Sequence, residues 1–289
     1  MVDARIETFL RLCHLMNYRK TAESLHMTQP AVTQHIQYLE RAYGCKLFTY
    51  ENRVLQKTEA GAMLETHALA MLHNEKAFVE ALRAPKPLHL AVGATKTIGD
   101  YTLESVVLGL LGRADIQLKL LIDNTENLLK KLNALELDLL LIEGFVDKDS
   151  YSHALIQQEE LVGICAPDHP FAGQVVPLER LLQEHILLRE AGSGTRAVFE
   201  QFLTDHNHTV AGFARRSEIS SFKLIEAAVA QGLGVSFVYE SIPKSSPRLA
   251  TFRVAGGPIL HEFNYVYLPG TQVEQYLHLL TPAPSGEKP

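Results

Sequence analysis

The chain predicts a two-part protein. A small helical head with a β-wing is followed by a larger α/β part of two lobes, and one long helix joins them. Three observations carry this reading. Residues 17–61 read as helix, tight turn, helix and two short strands. Residues 58–84 hold no proline and a single glycine, Gly61. From residue 88 onward, strand-like and helix-like segments alternate.

In the head, Thr21, Ala22 and Leu25 lie on a short helix. A tight turn is expected at Met27-Thr28, with a second helix starting near Gln29. Val32, Ile36, Leu39 and Tyr43 recur at steps of four, three and four, which gives one apolar stripe. Pro30, Gln34, Gln37 and Arg41 face the other way, with Thr33 on the flank. Glutamine can pair with adenine, threonine can touch a thymine methyl or a phosphate, and arginine can hold phosphate or guanine. Thr28 is the expected N-cap, leaving free N–H groups at the helix start for a phosphate. After Gly44, two strand-like pieces flank a polar tip at Glu51-Asn52-Arg53. An amphipathic helix alone would suit any solvated surface. The preceding helix, turn and wing favour a reader of the DNA major groove instead.

The next segment, 58–84, would span on the order of 40 Å as a helix. Leu64, Met71 and Phe78 recur every seven residues, with Leu72 and Val79 beside them and Leu82 extending the stripe; His67 and Asn74 interrupt it. Such a stripe can pair with a second copy or lie on its own domain. Pro85-Lys86-Pro87 then ends the helix as a stiff hinge.

Beyond it come strand-like 88–93, helical 102–112, strand-like 116–122, helical 127–135 and strand-like 138–144, the last reading as a buried parallel strand. A second set follows the apolar run 161–166: strand 186–188, helix 195–206, strand 213–219, helix 222–231 and strand 235–239. Strand 263–267 and a helix at 272–280 are expected to return to the first lobe. Three expected helix starts carry hydroxyls: Thr95-Lys96-Thr97, Ser193-Gly194-Thr195 and Ser220-Ser221. Serine and threonine at such positions cap their own helices, and a helix start also suits a carboxylate or oxyanion.

The head resembles the DNA-binding domain of LysR-type transcriptional regulators. The resemblance rests on Phe9, Ala22-Glu23-Ser24-Leu25, Thr28-Gln29-Pro30-Ala31-Val32, Ile36, Leu39-Glu40, Gly44, Leu47-Phe48, Leu55 and Thr58-Glu59-Ala60-Gly61. Gln34 stands where that family often carries arginine or lysine, and Thr21 where it often carries a small residue. The resemblance implies that Arg53 reaches the minor groove or its phosphates, and that the long helix dimerises the heads. The DNA-binding set is therefore Thr28, Gln29, Pro30, Thr33, Gln34, Gln37 and Arg53. The α/β part resembles, more loosely, the family's periplasmic-binding-protein-like effector domain, through Gly93-Ala94-Thr95, Glu143-Gly144, the run from Arg189 to Arg196 and Gly232-Leu233-Gly234. That resemblance brings the three hydroxyl-bearing helix starts to one cleft. It implies an effector site of Thr95, Lys96, Thr97, Glu143, Ser193, Thr195 and Ser221 for a small anion.

Composition agrees with this organisation. Residues 1–60 hold eight Lys/Arg against six Asp/Glu, a balance of +2; the chain as a whole is −6, so the remainder carries −8. A weakly cationic head favours a multimer on DNA over tight nonspecific binding by one copy. Three scattered cysteines, Cys13, Cys45 and Cys165, suit reduced thiols in the cytoplasm. No apolar run reaches the roughly 18 residues of a membrane span, and residues 1–7 lack a signal-peptide pattern.

No nucleophile elbow, phosphate-binding loop or dinucleotide fingerprint is present, and His206-Asn207-His208 lacks metal-site spacing. No catalytic residue, cofactor or metal is expected. The expected domains are a winged helix-turn-helix at 1–58, a linker helix and hinge at 59–87, an effector domain at 88–281 and a flexible tail at 282–289. Lobe one takes 88–161 and 264–281, and lobe two 162–263. The expected partners are a dyad-symmetric DNA operator, a small anionic effector and further copies of the chain as homodimer or homotetramer. A solute-binding protein with an accessory oligomerisation domain is the alternative.

Overall fold

The computed structural model describes residues 3–51, 54–82, 87–242 and 248–281. It divides into two compact units: Met1–Lys86 with Leu268–Glu274, and Pro87–Tyr267 with Gln275–Pro289.

The first unit begins with helices α1 (Ala4–Leu15), α2 (Tyr18–Ser24) and α3 (Gln29–Tyr43). Strands β1 (Phe48–Glu51) and β2 (Val54–Lys57) then pair antiparallel, and α4 (Glu59–Leu82) follows. Ile6, Phe9, Leu12, Ile36, Leu39, Leu47, Phe48, Leu55 and Ala68 close one core, so α4 is anchored to the head by its first turns. Each helix start is capped by its own sequence: the Asp3, Asn17 and Thr28 side chains accept from backbone N–H groups of α1, α2 and α3. Gly44 ends α3 with φ +69, a left-handed cap that favours glycine.

Two details depart from the sequence reading. The turn between α2 and α3 lies at Leu25-His26, ahead of Met27-Thr28, because His26 takes the positive φ of 53° there. Tyr43 leaves the apolar stripe and is exposed, since it sits in the last turn of α3, beyond the core that Val32, Ile36 and Leu39 fill. The α4 stripe divides along its length. Leu64 and Ala68 pack on the head, whereas Met71, Phe78, Val79 and Leu82 are exposed.

The second unit runs β3 (Leu88–Thr95), α5 (Lys96–Tyr101), α6 (Glu104–Leu111), β4 (Ile116–Asp123), α7 (Thr125–Asn133) and β5 (Leu139–Ile142). These form lobe one, with β4, β3 and β5 parallel in that order. Strand β6 (Ser152–Cys165) leads into lobe two: β7 (Val175–Val176), α8 (Leu178–Leu181), β8 (His185–Leu188), α9 (Gly194–Asp205), β9 (Arg215–Glu218), α10 (Phe222–Ala230), β10 (Ser236–Tyr239) and β11 (Ala250–Val254). Strand β12 (Ile259–Tyr267) runs back along β6 and pairs with β5, so two long strands stitch the lobes together. A β-bulge between Phe263 and Asn264 shifts their register.

The helix expected at 102–112 is α6, and the short α5, opened by Thr95-Lys96-Thr97, precedes it with a break at Thr102-Leu103. Residues Gln272–Leu280 form a 3-10 helix in place of an α-helix. Strand β6 starts at Ser152, nine residues before the apolar run that signalled it, and β7, β11 and α8 add to the expected elements.

Candidate nucleic-acid interface and effector cleft

Helix α3 presents its polar face intact. Thr28, Gln29, Pro30, Gln34 and Gln37 are exposed and Thr33 is half-buried. The Thr28 hydroxyl accepts from Ala31 N at 3.4 Å, and the Thr33 hydroxyl donates to the Gln29 carbonyl at 3.0 Å. Thr33 therefore keeps acceptor capacity and its methyl for a partner. Behind this strip, Glu40 fixes the approach to the wing, accepting from Lys46 Nζ at 2.7 Å and from Leu47 N at 3.0 Å. Arg53 lies outside the described residues.

In the second unit the chain brings the start of lobe one against the start of α9. Thr95, Thr97, Glu143, Ser193 and Thr195 are all buried. The Thr97 and Thr195 hydroxyls meet at 3.3 Å across the cleft. Glu143, just past β5, receives hydroxyl hydrogen bonds from Thr95 in lobe one and, at 3.3 Å, from Thr195 in lobe two. Tyr239 donates to the Glu143 carbonyl at 3.1 Å. Lys96 reaches lobe two, donating to Glu190 at 2.8 Å and to the Ser220 carbonyl at 3.1 Å. Ser193 caps α9, and Ser221 opens α10 without capping it through its side chain. Helices α7, α9 and α10 all start in this region of their lobes, and a helix start offers N–H groups that its own backbone ladder does not use.

The electrostatics are unequal. Burial pushes the Glu143 carboxyl up to about 7; its backbone hydrogen bond, the Thr97 and Thr195 hydroxyls and Arg189 offset only part of that. For Glu190 burial also raises, but hydrogen bonds from Arg189 and Lys96 win, and its carboxyl stays below the ordinary value.

Four residues of the cleft were not singled out as ligand contacts from sequence. Arg189, only 5% exposed, donates from Nε to Glu190 at 2.9 Å. Arg196 holds the Arg189 carbonyl at 3.0 Å. Glu190 joins Lys96 to Arg189. Thr125, at the start of α7, is buried beside Gly144 and Gly194, and its hydroxyl has no hydrogen-bond partner among the described residues. The Asn124-Thr125 pair after a strand is the same signal as the three helix starts that sequence did mark. Apart from this cluster, a cavity of about 340 Å³ opens along β6 and β12, lined by Phe145, Lys148, His153, Gln158, His261 and Asn264. Among the described residues no cluster of His, Cys, Asp or Glu could hold a metal ion, and no helix is long and apolar enough to cross a membrane.

Residues 4–62 match the bacterial regulatory helix-turn-helix protein, lysR family, and residues 85–281 match the LysR substrate binding domain. The chain belongs to the LysR family of transcriptional regulators. It is similar to the RuBisCO operon transcriptional regulator of Allochromatium vinosum, 27% identical over 93% of this chain and 90% of that one. It is 30% identical to the regulator CbbR of Rhizobium meliloti (strain 1021), over 81% of this chain and 75% of that protein. In fold it is similar to an H2O2-bound OxyR mutant of Corynebacterium glutamicum, with TM-score 0.60 at 24% identity over 96% and 91% of the two chains. It also resembles the Synechocystis PCC6803 CcmR regulatory domain in complex with 2-PG, with TM-score 0.59 at 23% identity over 67% and 95%. This LysR-family protein is thus a ligand-responsive DNA-binding regulator, not an enzyme. The solute-receptor alternative gives way to it.

Proposed function

We propose that this regulator senses a small oxyanion between the lobes of its effector domain and passes the occupancy of that site to paired DNA-reading heads. The observation that carries the reading is the convergence in one cleft of Lys96, Arg189 and the hydroxyls of Thr97, Thr125 and Thr195, with three helix starts around them. Such a set supplies donors and positive potential, and an oxyanion supplies acceptors. Thr95, Glu143, Ser193 and Ser221 complete the wall. An anion that contacts both lobes favours their present arrangement only by its difference in affinity for the alternatives. The complex of the CcmR regulatory domain with 2-PG supports a small molecule in a domain of this fold. The name of the Allochromatium vinosum relative supports a RuBisCO operon as a target of this regulator.

On DNA, the exposed strip Thr28, Gln29, Pro30, Thr33, Gln34 and Gln37 enters the major groove, and Arg53 of the wing holds phosphate or the minor groove. The exposed end of α4 pairs two chains, so the operator is dyad-symmetric. In domain terms, 1–58 reads, 59–87 links and 88–281 senses.

The test is calorimetry on the full chain with sulfate, phosphate and 2-PG, against Thr195→Val. Loss of a hydrogen bond to a charged ligand costs about 1.5–3 kcal/mol, roughly ten- to hundredfold in affinity. Equal affinity in wild type and variant for every anion that binds would place the site elsewhere.

A further inference from the structure

We propose that Glu143 makes anion binding in the cleft proton-coupled: an oxyanion enters together with one proton, which the Glu143 carboxyl holds. The inference rests on the anion site proposed above and adds how that site sets its charge.

The geometry is that of a carboxyl trapped at the seam. Glu143 is 2% exposed, and its two oxygens face Thr95 of lobe one and Thr195 of lobe two. The groups around it come from every neighbouring element. From β3 and α5 come Thr95, Lys96 and Thr97. From the β8–α9 segment come Arg189, Glu190 and Thr195. From β10 comes Tyr239, whose phenol burial holds protonated well above its ordinary value. From α7 come Thr125 and Glu126, the latter within reach of Gly192. From β12 comes His261, which burial lowers below its ordinary value despite a backbone hydrogen bond at Gly144.

Of these, Arg189 and Lys96 are the cations, and both bind Glu190, at 2.9 and 2.8 Å. Glu126 is paired with Lys130 at 2.6 Å, outside this count, and the two cations share one carboxylate, so the cluster carries a single surplus positive charge. An ionised Glu143 cancels that surplus and sets a buried negative charge against any incoming anion. A neutral Glu143 leaves the surplus to the ligand and turns its own O–H into a donor, as an acceptor-only oxyanion requires. Among the described residues no cation forms an ion pair with the Glu143 carboxyl, and burial pushes it up to about 7 against the weaker pull of Arg189. Proton and anion therefore bind with mutual favour.

The experiment is calorimetry with sulfate on the full chain, between about pH 5.5 and 8.5, in two buffers of different ionisation enthalpy. The expected result is a sulfate affinity that is flat below about pH 7 and falls about tenfold per pH unit above it, with uptake of close to one proton at the upper end. Glu143→Gln, a neutral isostere, should bind sulfate with little pH dependence across that range. Sulfate binding without proton uptake overturns the inference while leaving the anion site standing. A Glu143→Gln protein that keeps the wild-type slope does the same. Sulfate that binds at no pH removes both the site and the inference. The buffer comparison uses wild-type protein alone, so it decides the matter even if the variant folds poorly.

Discussion

Gly144 of lobe one and Gly194 of lobe two lie backbone to backbone. A Cβ placed on Gly194 would stand 2.7 Å from the Gly144 Cα, and one placed on Gly144 would stand 2.9 Å from the Gly194 Cα. Neither distance is one a real side chain tolerates, and both neighbours are main chain. The same contact brings the α9 start, with Thr195, onto Glu143. Close approach of backbones is thus what lets the hydroxyls of the two lobes reach each other.

Gly194→Ala is expected to hold the lobes apart by steric contact alone. Anion affinity should fall by about five- to 150-fold, roughly the 1–3 kcal/mol typical of overpacking, while ligand-free DNA binding persists. X-ray scattering should report a larger effector domain. An unchanged anion affinity and scattering profile would show that the contact is dispensable.

On DNA, Gln34→Ala should weaken binding at one operator position by about 1–3 kcal/mol and relax sequence preference there. Arg53→Ala should weaken all sequences alike and reduce the salt slope by about one. Titrations of both variants on an operator and on single-base substitutions of it separate the two patterns; wild-type affinities in both would remove the assignment.

The head was legible in sequence because its signals are local. Stripe spacing, the Thr28 cap and Gly44 each act within a turn or two of where they stand. The missed positions are those decided at long range. Tyr43 continues the spacing of Val32, Ile36 and Leu39, yet the core ends before it. The middle of β6 carries Gln157, Gln158, Glu159 and Glu160, which hide a strand whose pairing comes from β12, about a hundred residues later. Lys96 reads as a free cation in sequence, but Glu190, 94 residues away, takes its charge. Thr125 and Arg189 matter only because the two long strands bring the lobes together. Spacing cannot announce that convergence; family resemblance can.

The α4 stripe divides at about Met71, which makes assembly testable without unfolding the head. Phe78 is 61% exposed and Val79 lies beside it. Replacing both by glutamate should cost little intrinsic stability and should lower the oligomer order in analytical ultracentrifugation, with weaker operator binding as two heads become one. A variant sedimenting like wild type would assign the pairing to another surface.

Gly61 opens α4 where a Cβ would stand 2.2 Å from the Leu47 carbonyl oxygen. Gly61→Ala is expected to destabilise the head by about 1–3 kcal/mol, since backbone has to move. Gly109, inside α6, has nothing within 4 Å of the added carbon, so Gly109→Ala should stabilise the effector domain by about 0.5–1 kcal/mol. Denaturant melts of the two variants should move in opposite directions, and two shifts of the same sign would refute the packing argument.

The stability of the effector domain should fall as pH rises from about 4.5 to about 7. Burial raises the Glu143 carboxyl in the folded chain to about 7 from an ordinary 4.5, so the folded state holds a proton that the unfolded chain releases. That contribution is complete below the unfolded value and lost by the folded one, up to about 3 kcal/mol over the whole interval. Glu190 acts with the opposite sign. Its lowered carboxyl adds stability above the unfolded value and loses it only in more acidic solution, so the two effects occupy different windows. Denaturant titrations of wild type and Glu143→Gln across the interval isolate the Glu143 component. The wild-type slope should be negative and the variant's close to flat. Parallel slopes would mean that the carboxyl is solvated in the ligand-free protein, and with it the cleft that the two lobes enclose.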